Sequence, residues 1–184
     1  MLDHSLNFVK AVQDVILEPG VSSFWPLFIA SFLNDLIGVF PFALVLAGQL
    51  LFLDEPITIA LAAKLLVFVA VPVGLGSALG SIPLYALTYF GGKPVIEKYH
   101  KYLRFSWQDV EKVHQKFKGV WYDDVIFLLL RCLPVLPSLP LDVAAGILRM
   151  RFWPFFVLTA VGSIIRMMIT LAAFAIGLSG LSQL

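Results

Sequence analysis

Charge is scarce in this chain: 14% of its 184 residues are charged and 60% are hydrophobic, where ordinary soluble domains carry about 25% and about 45–50%. That balance excludes a soluble domain and indicates an integral membrane protein. Cysteine is scarcer still. Cys132 stands alone, which excludes an internal disulfide framework, and beside Arg131 it reads as a small buried apolar residue. His100 and His114 lie in a solvated stretch without partners at metal-ligand spacing. No Ser/His/Asp set, metal-ligand cluster or phosphate-binding glycine loop is present, so neither an enzyme nor a bound cofactor or metal is expected. The N-terminus lacks a basic start followed by an apolar core and a small-residue cleavage site. The chain is expected to insert whole.

What charge there is falls unevenly. Residues 1–56 set Lys10 against Asp3, Asp14, Glu18, Asp35, Asp54 and Glu55, a balance of −5, whereas residues 93–118 hold seven basic and three acidic side chains, a balance of +4. Basic flanks stay on the cytoplasmic side, which places the second segment there and the Asp54-Glu55 turn outside. In so apolar a chain the basic run speaks for membrane orientation rather than nucleic-acid binding.

Along the chain, Leu6, Val9, Val12 and Ile16 recur at helical spacing, so residues 1–23 are expected to hold an interfacial helix stopped by Pro19-Gly20. Residues 24–53 are an apolar run with Asn34, Asp35, Gly38 and Pro41 at its centre. Residues 57–91 are long enough to span with tilt, or with a kink at Pro72 and Pro83. Within them Gly76-x-x-x-Gly80 offers a flat face to another helix, and Lys64 is near enough to the outer end to snorkel to the interface. In the basic segment 93–119, Ser106-Trp107-Gln108-Asp109 resembles a capping box ahead of the stripe Val110, Val113 and Phe117, with Gly119 as the stop. Trp121 and Tyr122 mark the interface. Residues 152–178, with Arg166 among them, make a second span, and 179–184 form a tail.

The most informative stretch is VIFLLLRCLPVLPSLPLDVAAGILRMR, residues 125–151. Pro134, Pro137 and Pro140 remove amide donors and clash with the preceding turn, so two half-helices, 125–132 and 140–149, should be joined by an unwound turn. Irregular backbone at membrane depth survives only where protein or a watered cavity satisfies it, which makes the break a candidate site. Both flanks are basic, so both ends belong on the cytoplasmic side and the segment must dip in and return. Residues 24–53 repeat the design between acidic flanks, with Pro41 before Ala47-Gly48 as Pro140 stands before Ala145-Gly146. Paired interruptions of this kind point to a transporter built from inverted repeats. The expected fold is an all-α integral membrane domain over 24–178: two re-entrant helical hairpins in inverted repeat, two spanning helices and amphipathic surface helices.

These residues carry a resemblance over about residues 30–178. Gly76-x-x-x-Gly80, Tyr85, Gly91-Gly92-Lys93-Pro94, the phrase KFKGVWYDDVIFLLLRCLP, and Arg131-x-x-Pro134-x-x-Pro137 followed by Asp142 and Gly146 resemble the DedA family, also described as the SNARE-associated Golgi or VTT domain. The second hairpin is closest to the branch that includes eukaryotic Golgi members. The resemblance implies lipid transport: bacterial members are associated with recycling undecaprenyl phosphate or moving phospholipids and with the proton gradient, and eukaryotic members scramble phospholipids. Asp35 matches the family's earlier acidic position and Arg131 its first arginine. Two positions depart from the pattern. Pro41-Phe42-Ala43 stands where many bacterial members have P-G-E or P-G-D, and Pro137 stands where they have a second arginine, so the usual acid for proton coupling is missing.

Chemistry points the same way. A charge at the membrane centre costs about 2.5–3.5 kcal/mol on insertion scales, so Arg131, Asp35 and Asp142 should face one another or a cavity. Helix starts at the breaks offer free amides to phosphate, and Arg131 could bind it bidentately; the alternative is a structural ion pair locking the hairpins. Pro134, Pro137 and Pro41 shape the breaks, and Gly76, Gly80 and Gly146 serve helix packing. Expected partners are membrane lipids with phosphate headgroups and, in the bilayer, further copies of the chain; nucleic acid is not expected. The location implied is the plasma membrane of a prokaryote. A small-inorganic-anion transporter and a non-transporting membrane assembly factor remain as alternatives.

Overall fold

The computed structural model describes residues 20–37, 46–48, 58–103, 121–134 and 136–181. They form α1 (Val21–Ile37), α2 (Ile59–Leu65), a π-helical turn (Leu66–Ala70), α3 (Val71–Leu103), α4 (Trp121–Cys132), α5 (Ser138–Ile147) and α6 (Phe152–Leu181). No strand occurs among the described residues. The expected interfacial helix before Pro19, the capping box at Ser106 and Pro41 all lie outside them.

Two helical runs, Ile59–Gly91 and Phe152–Ile176, are long and apolar enough to cross a membrane. The first starts at Thr58, whose hydroxyl accepts from the Leu61 amide at 3.3 Å and so covers an orphan donor. Its π-helical turn falls directly before Pro72, where a widened turn relieves the clash of the proline ring with the carbonyl four residues back. Helix α3 then continues through Pro83, and it does not stop at Gly91-Gly92-Lys93-Pro94, where the sequence suggested a change of segment, but runs to Leu103. Pro94 deprives only one carbonyl of its partner. Near the end of an apolar run that carbonyl can bond water.

The helices turn hydroxyls and a carboxylate inward beside an apolar core and large apolar side chains outward. Along α1 the buried residues Ser23, Leu27, Ser31 and Asp35 recur every four positions, while Trp25, Ile29 and Leu33 are exposed. Along α6, Thr159, Ser163 and Thr170 are buried, while Val157, Val161, Ile165 and Ile169 are exposed. Only a surrounding of lipid lets this many large apolar side chains face outward. Lys64 is exposed, as snorkelling requires.

Close approaches give the helix directions. Ser31 Oγ donates to the Val73 carbonyl at 2.7 Å, and Gly76 and Gly80 lie against the Phe28 and Phe32 carbonyls, so α1 runs parallel to α3. Ser77 meets Ser163 at 3.0 Å, and Tyr85 stacks on Phe155 with centroids 4.2 Å apart; α3 and α6 are therefore antiparallel. Phe127 lies 6.0 Å from Phe155, and Arg131 packs on Gly162, so α4 follows α6. Between α4 and α5 the chain turns back. Phe127 and Ala145 share one cluster with Tyr85, and the Tyr85 hydroxyl donates to the Met150 carbonyl at 2.5 Å, which brings both ends of the helix–break–helix unit to one end of the bundle.

The break is shorter than the prolines suggested. Pro134 stands in the turn and Pro137 caps α5 in extended conformation, but Pro140 is the third residue of α5. There it removes only an amide that no helical carbonyl would have accepted. After α5 the Arg149 backbone takes φ 52°, with its amide on Gly146 and that of Met150 on Ala145. A glycine usually ends a helix this way; Arg149 holds the left-handed position with its side chain exposed.

Candidate functional site

Two apolar clusters fill the bundle, one around Leu27, Val69, Val73, Met167 and Leu171 and one around Tyr85, Phe127, Ala145 and Phe155. Between them lies a polar layer. Along α3 the order Val73, then Ser77, Ser81, then Tyr85 passes through all three levels in steps of four, a single face of one helix.

Five helices, α1, α3, α4, α5 and α6, bring charge and hydroxyls to that layer. Arg131 comes near the C-terminal end of α4, where a cation complements the helix dipole. Its stem fits because position 162 is glycine: a Cβ there would stand 2.7 Å and 2.8 Å from Arg131 Cγ and Cβ. Arg131 Nη1 donates to Asp142 Oδ1 of α5 at 2.5 Å. Nη2 donates to Ser81 Oγ at 2.9 Å and reaches Ser77 Oγ at 3.4 Å. Asp35 of α1 is the second carboxylate, its Oδ2 3.9 Å from Nη2.

Ser77 ties the layer together. Its hydroxyl donates to Asp35 Oδ2, so its single proton is used and Ser163 must donate to it across the 3.0 Å contact. Asp35 Oδ1 accepts from Ser138 Oγ at 2.9 Å. The start of α5, which the sequence offered to phosphate, is thus met by a carboxylate of the protein itself. Arg131 and Asp142 are 0% exposed and Asp35 2%. Arg131 Nε, Asp142 Oδ2, Thr159 Oγ1 and Asn34 Oδ1 are buried without a hydrogen-bond partner among the described residues, each at a cost of about 1–3 kcal/mol.

Of the residues singled out from sequence, Arg131, Asp35 and Asp142 converge. Pro134 and Pro137 stand exposed at the break. Gly76 and Gly80 lie on the backbone of α1, and a Cβ on Gly146 would come within 2.6 Å of the Tyr85 carbonyl, beside Thr88 of α3. Sequence reasoning missed Ser77, Ser81, Ser138 and Ser163. Ser77 and Ser81 were visible as two hydroxyls four apart in an apolar span, which is one helix face. Chemically, the layer is an anion-compatible guanidinium held by two carboxylates and four serine hydroxyls. Among the described residues no group of His, Cys, Asp and Glu is arranged to hold a metal ion.

Comparison with known proteins bears on the family. The family model described as the VTT domain matches residues 52–176, a range that takes in both spans, Arg131 and Asp142. No curated protein and no solved structure matches the chain. With more than half of its length under that match and two apolar helices of membrane-spanning length, the chain is an integral membrane protein and belongs to the VTT-domain family of DedA and SNARE-associated Golgi proteins.

Proposed function

We propose that this protein moves phosphate-bearing lipids, such as phospholipids or a polyprenyl phosphate, between the leaflets of its membrane. The observation that supports this most is the Arg131–Asp142–Asp35 layer, placed at the break of a helical hairpin and level with the middle of two apolar spans. An anionic headgroup crossing the bilayer needs a cation and hydroxyl donors at that depth. Arg131 would lend its charge to the layer while staying paired with Asp142, and the serine hydroxyls beside it would serve as donors. Proton linkage would rest on Asp35 and Asp142, since Ala43 stands at the family's other acidic position.

In this reading residues 125–151 and 24–53 are re-entrant hairpins in inverted repeat. Each leading half-helix, α1 or α4, lies parallel to the span that follows it, and the two spans are antiparallel, the relation such a repeat requires. Pro134 and Pro137, and Pro41 in the first hairpin, keep the breaks open. The membrane is the plasma membrane of a prokaryote, with residues 93–119 cytoplasmic. Cysteines introduced at Lys118 and Met150 in a Cys132→Ser background are then expected to label from the cytoplasmic face alone. Labelling from opposite faces removes the re-entrant hairpin.

The test of function is the purified chain in vesicles. Fluorescent phospholipid and polyprenyl phosphate are expected to exchange leaflets well above the protein-free rate. If the vesicles take up inorganic phosphate and no lipid moves, the same layer serves a small anion. If folded protein moves neither, the transport proposal fails and a membrane assembly factor takes its place.

A further inference from the structure

Arg131 is directly ion-paired, but a second arginine, one turn further along α6, has no ion-pair contact among the described residues. Arg166 lies close to the middle of the span Phe152–Ile176. No described carboxylate comes within ion-pair distance of it. It belongs to the stripe Phe155, Thr159, Gly162, Arg166, spaced four, three and four, which is the face that α6 turns to α4. Phe155 meets Phe127 and Gly162 meets Arg131. One turn further along the stripe α4 has ended, at Cys132. Phe155, Thr159 and Gly162 are buried, and so is Thr170 beyond, whereas Arg166 keeps part of its surface exposed. Side chains on a helix lean toward its N-terminus, which directs the guanidinium back toward the end of α4, within electrostatic reach of Arg131 first and then of Asp35, Asp142 and Cys132.

We infer that Arg166 is the cation that contacts the phosphate anion, beside the end of α4 at Cys132, while Arg131 holds the hairpins together. An arginine in mid-membrane without an ion-pair partner is costly to insert. A guanidinium with unengaged N–H groups is also the better phosphate ligand, because nothing has to be displaced from it. This assignment rests on the phosphate-transport reading for its biological meaning, but the site can be tested without transport.

The chain supplies its own reporter in Cys132, its single cysteine, half-buried at the end of α4. Maleimide labelling of Cys132 is followed on the intact chain in a phosphate-free maltoside detergent, with dioctanoyl phosphatidic acid, dioctanoylglycerol or inorganic phosphate added. Phosphatidic acid is expected to slow labelling of the wild type. In Arg166→Gln the concentration needed should rise about tenfold or more, the loss of a charge-assisted hydrogen bond. Dioctanoylglycerol should protect neither protein. Protection by inorganic phosphate as strong as by phosphatidic acid identifies a free anion as the ligand; protection by the lipid alone identifies the headgroup. Thermal unfolding of Arg166→Gln is expected at or above the wild-type temperature, since an unpaired charge has been removed. No protection of the wild type by either phosphate, equal protection of Arg166→Gln, or marked destabilisation of that variant overturns the assignment. Phosphate protection that depends on Arg166, in a protein that moves no lipid, keeps the site and removes the transport reading.

Discussion

Replacing Arg131 by alanine is expected to leave little folded protein. The guanidinium is the counter-charge for Asp142 and Asp35 in a layer with essentially no exposure. Removing one partner of a buried ion pair costs about 3–5 kcal/mol, because the other charge stays behind unpaired. Against a total stability of about 5–15 kcal/mol, that is a large fraction. Arg131→Lys keeps the charge but not the fork that reaches Asp142 with one amino group and Ser81 with the other, so it should unfold between the wild type and Arg131→Ala. Removing the whole set, Arg131→Met with Asp142→Leu and Asp35→Asn, should restore folding, as apolar replacement of buried ion clusters often does. The measurement is thermal unfolding in detergent followed by tryptophan fluorescence and size-exclusion recovery. An Arg131→Ala protein as stable as the wild type would mean that the layer is wet, and the account of Arg131 as a brace would be wrong.

Valine at Gly76 or Gly80 should separate α1 from the bundle. A Cβ at either position meets backbone atoms of α1, the carbonyls of Phe28 and Phe32, and a carbonyl cannot swing aside as a side-chain tip can. Overpacking of this kind costs about 1–3 kcal/mol per site. The consequence reaches the charged layer, since Asp35 is carried on α1 one turn beyond the contact and would be drawn away from Ser77 and Ser138. Gly48→Ala is the control, because no atom of the described residues lies within 4 Å of a Cβ there. The double variant Gly76→Val/Gly80→Val is expected to show the larger loss in thermal unfolding, and Gly48→Ala none. Equal stability of all three would mean that α1 does not approach α3 by these glycines.

Several particulars are legible in the sequence alone. Composition alone placed the chain in a membrane, because no arrangement of so few charges can cover a soluble surface. Proline chemistry located the interruption between α4 and α5, though one proline too generously: Pro140 looked like a breaker and sits where a helix start tolerates it. Arg131, Asp35 and Asp142 were legible as a set, since isolated charges in an apolar run must find one another. The serines were not, because a hydroxyl in a membrane helix can bond its own backbone, as Thr88 does with Leu84, and its sequence looks the same whether or not it also reaches a neighbour.

The division has a physical basis. Solvent class, helix length and helix interruption follow from local terms, the transfer free energy of side chains and the backbone chemistry of proline, and the sequence by itself determined them. Partner choice does not. Arg131 takes Asp142 at 2.5 Å and holds Asp35 only at 3.9 Å, and the rise and spacing of residues cannot rank two carboxylates that arrive on different helices. That ranking was decided by tertiary structure: by Gly162, which lets the arginine stem approach α6, by Ser77 and Ser138, which hold Asp35 back, and by the end of α4 at Cys132, which seals Arg131 and leaves Arg166 uncovered one turn further on.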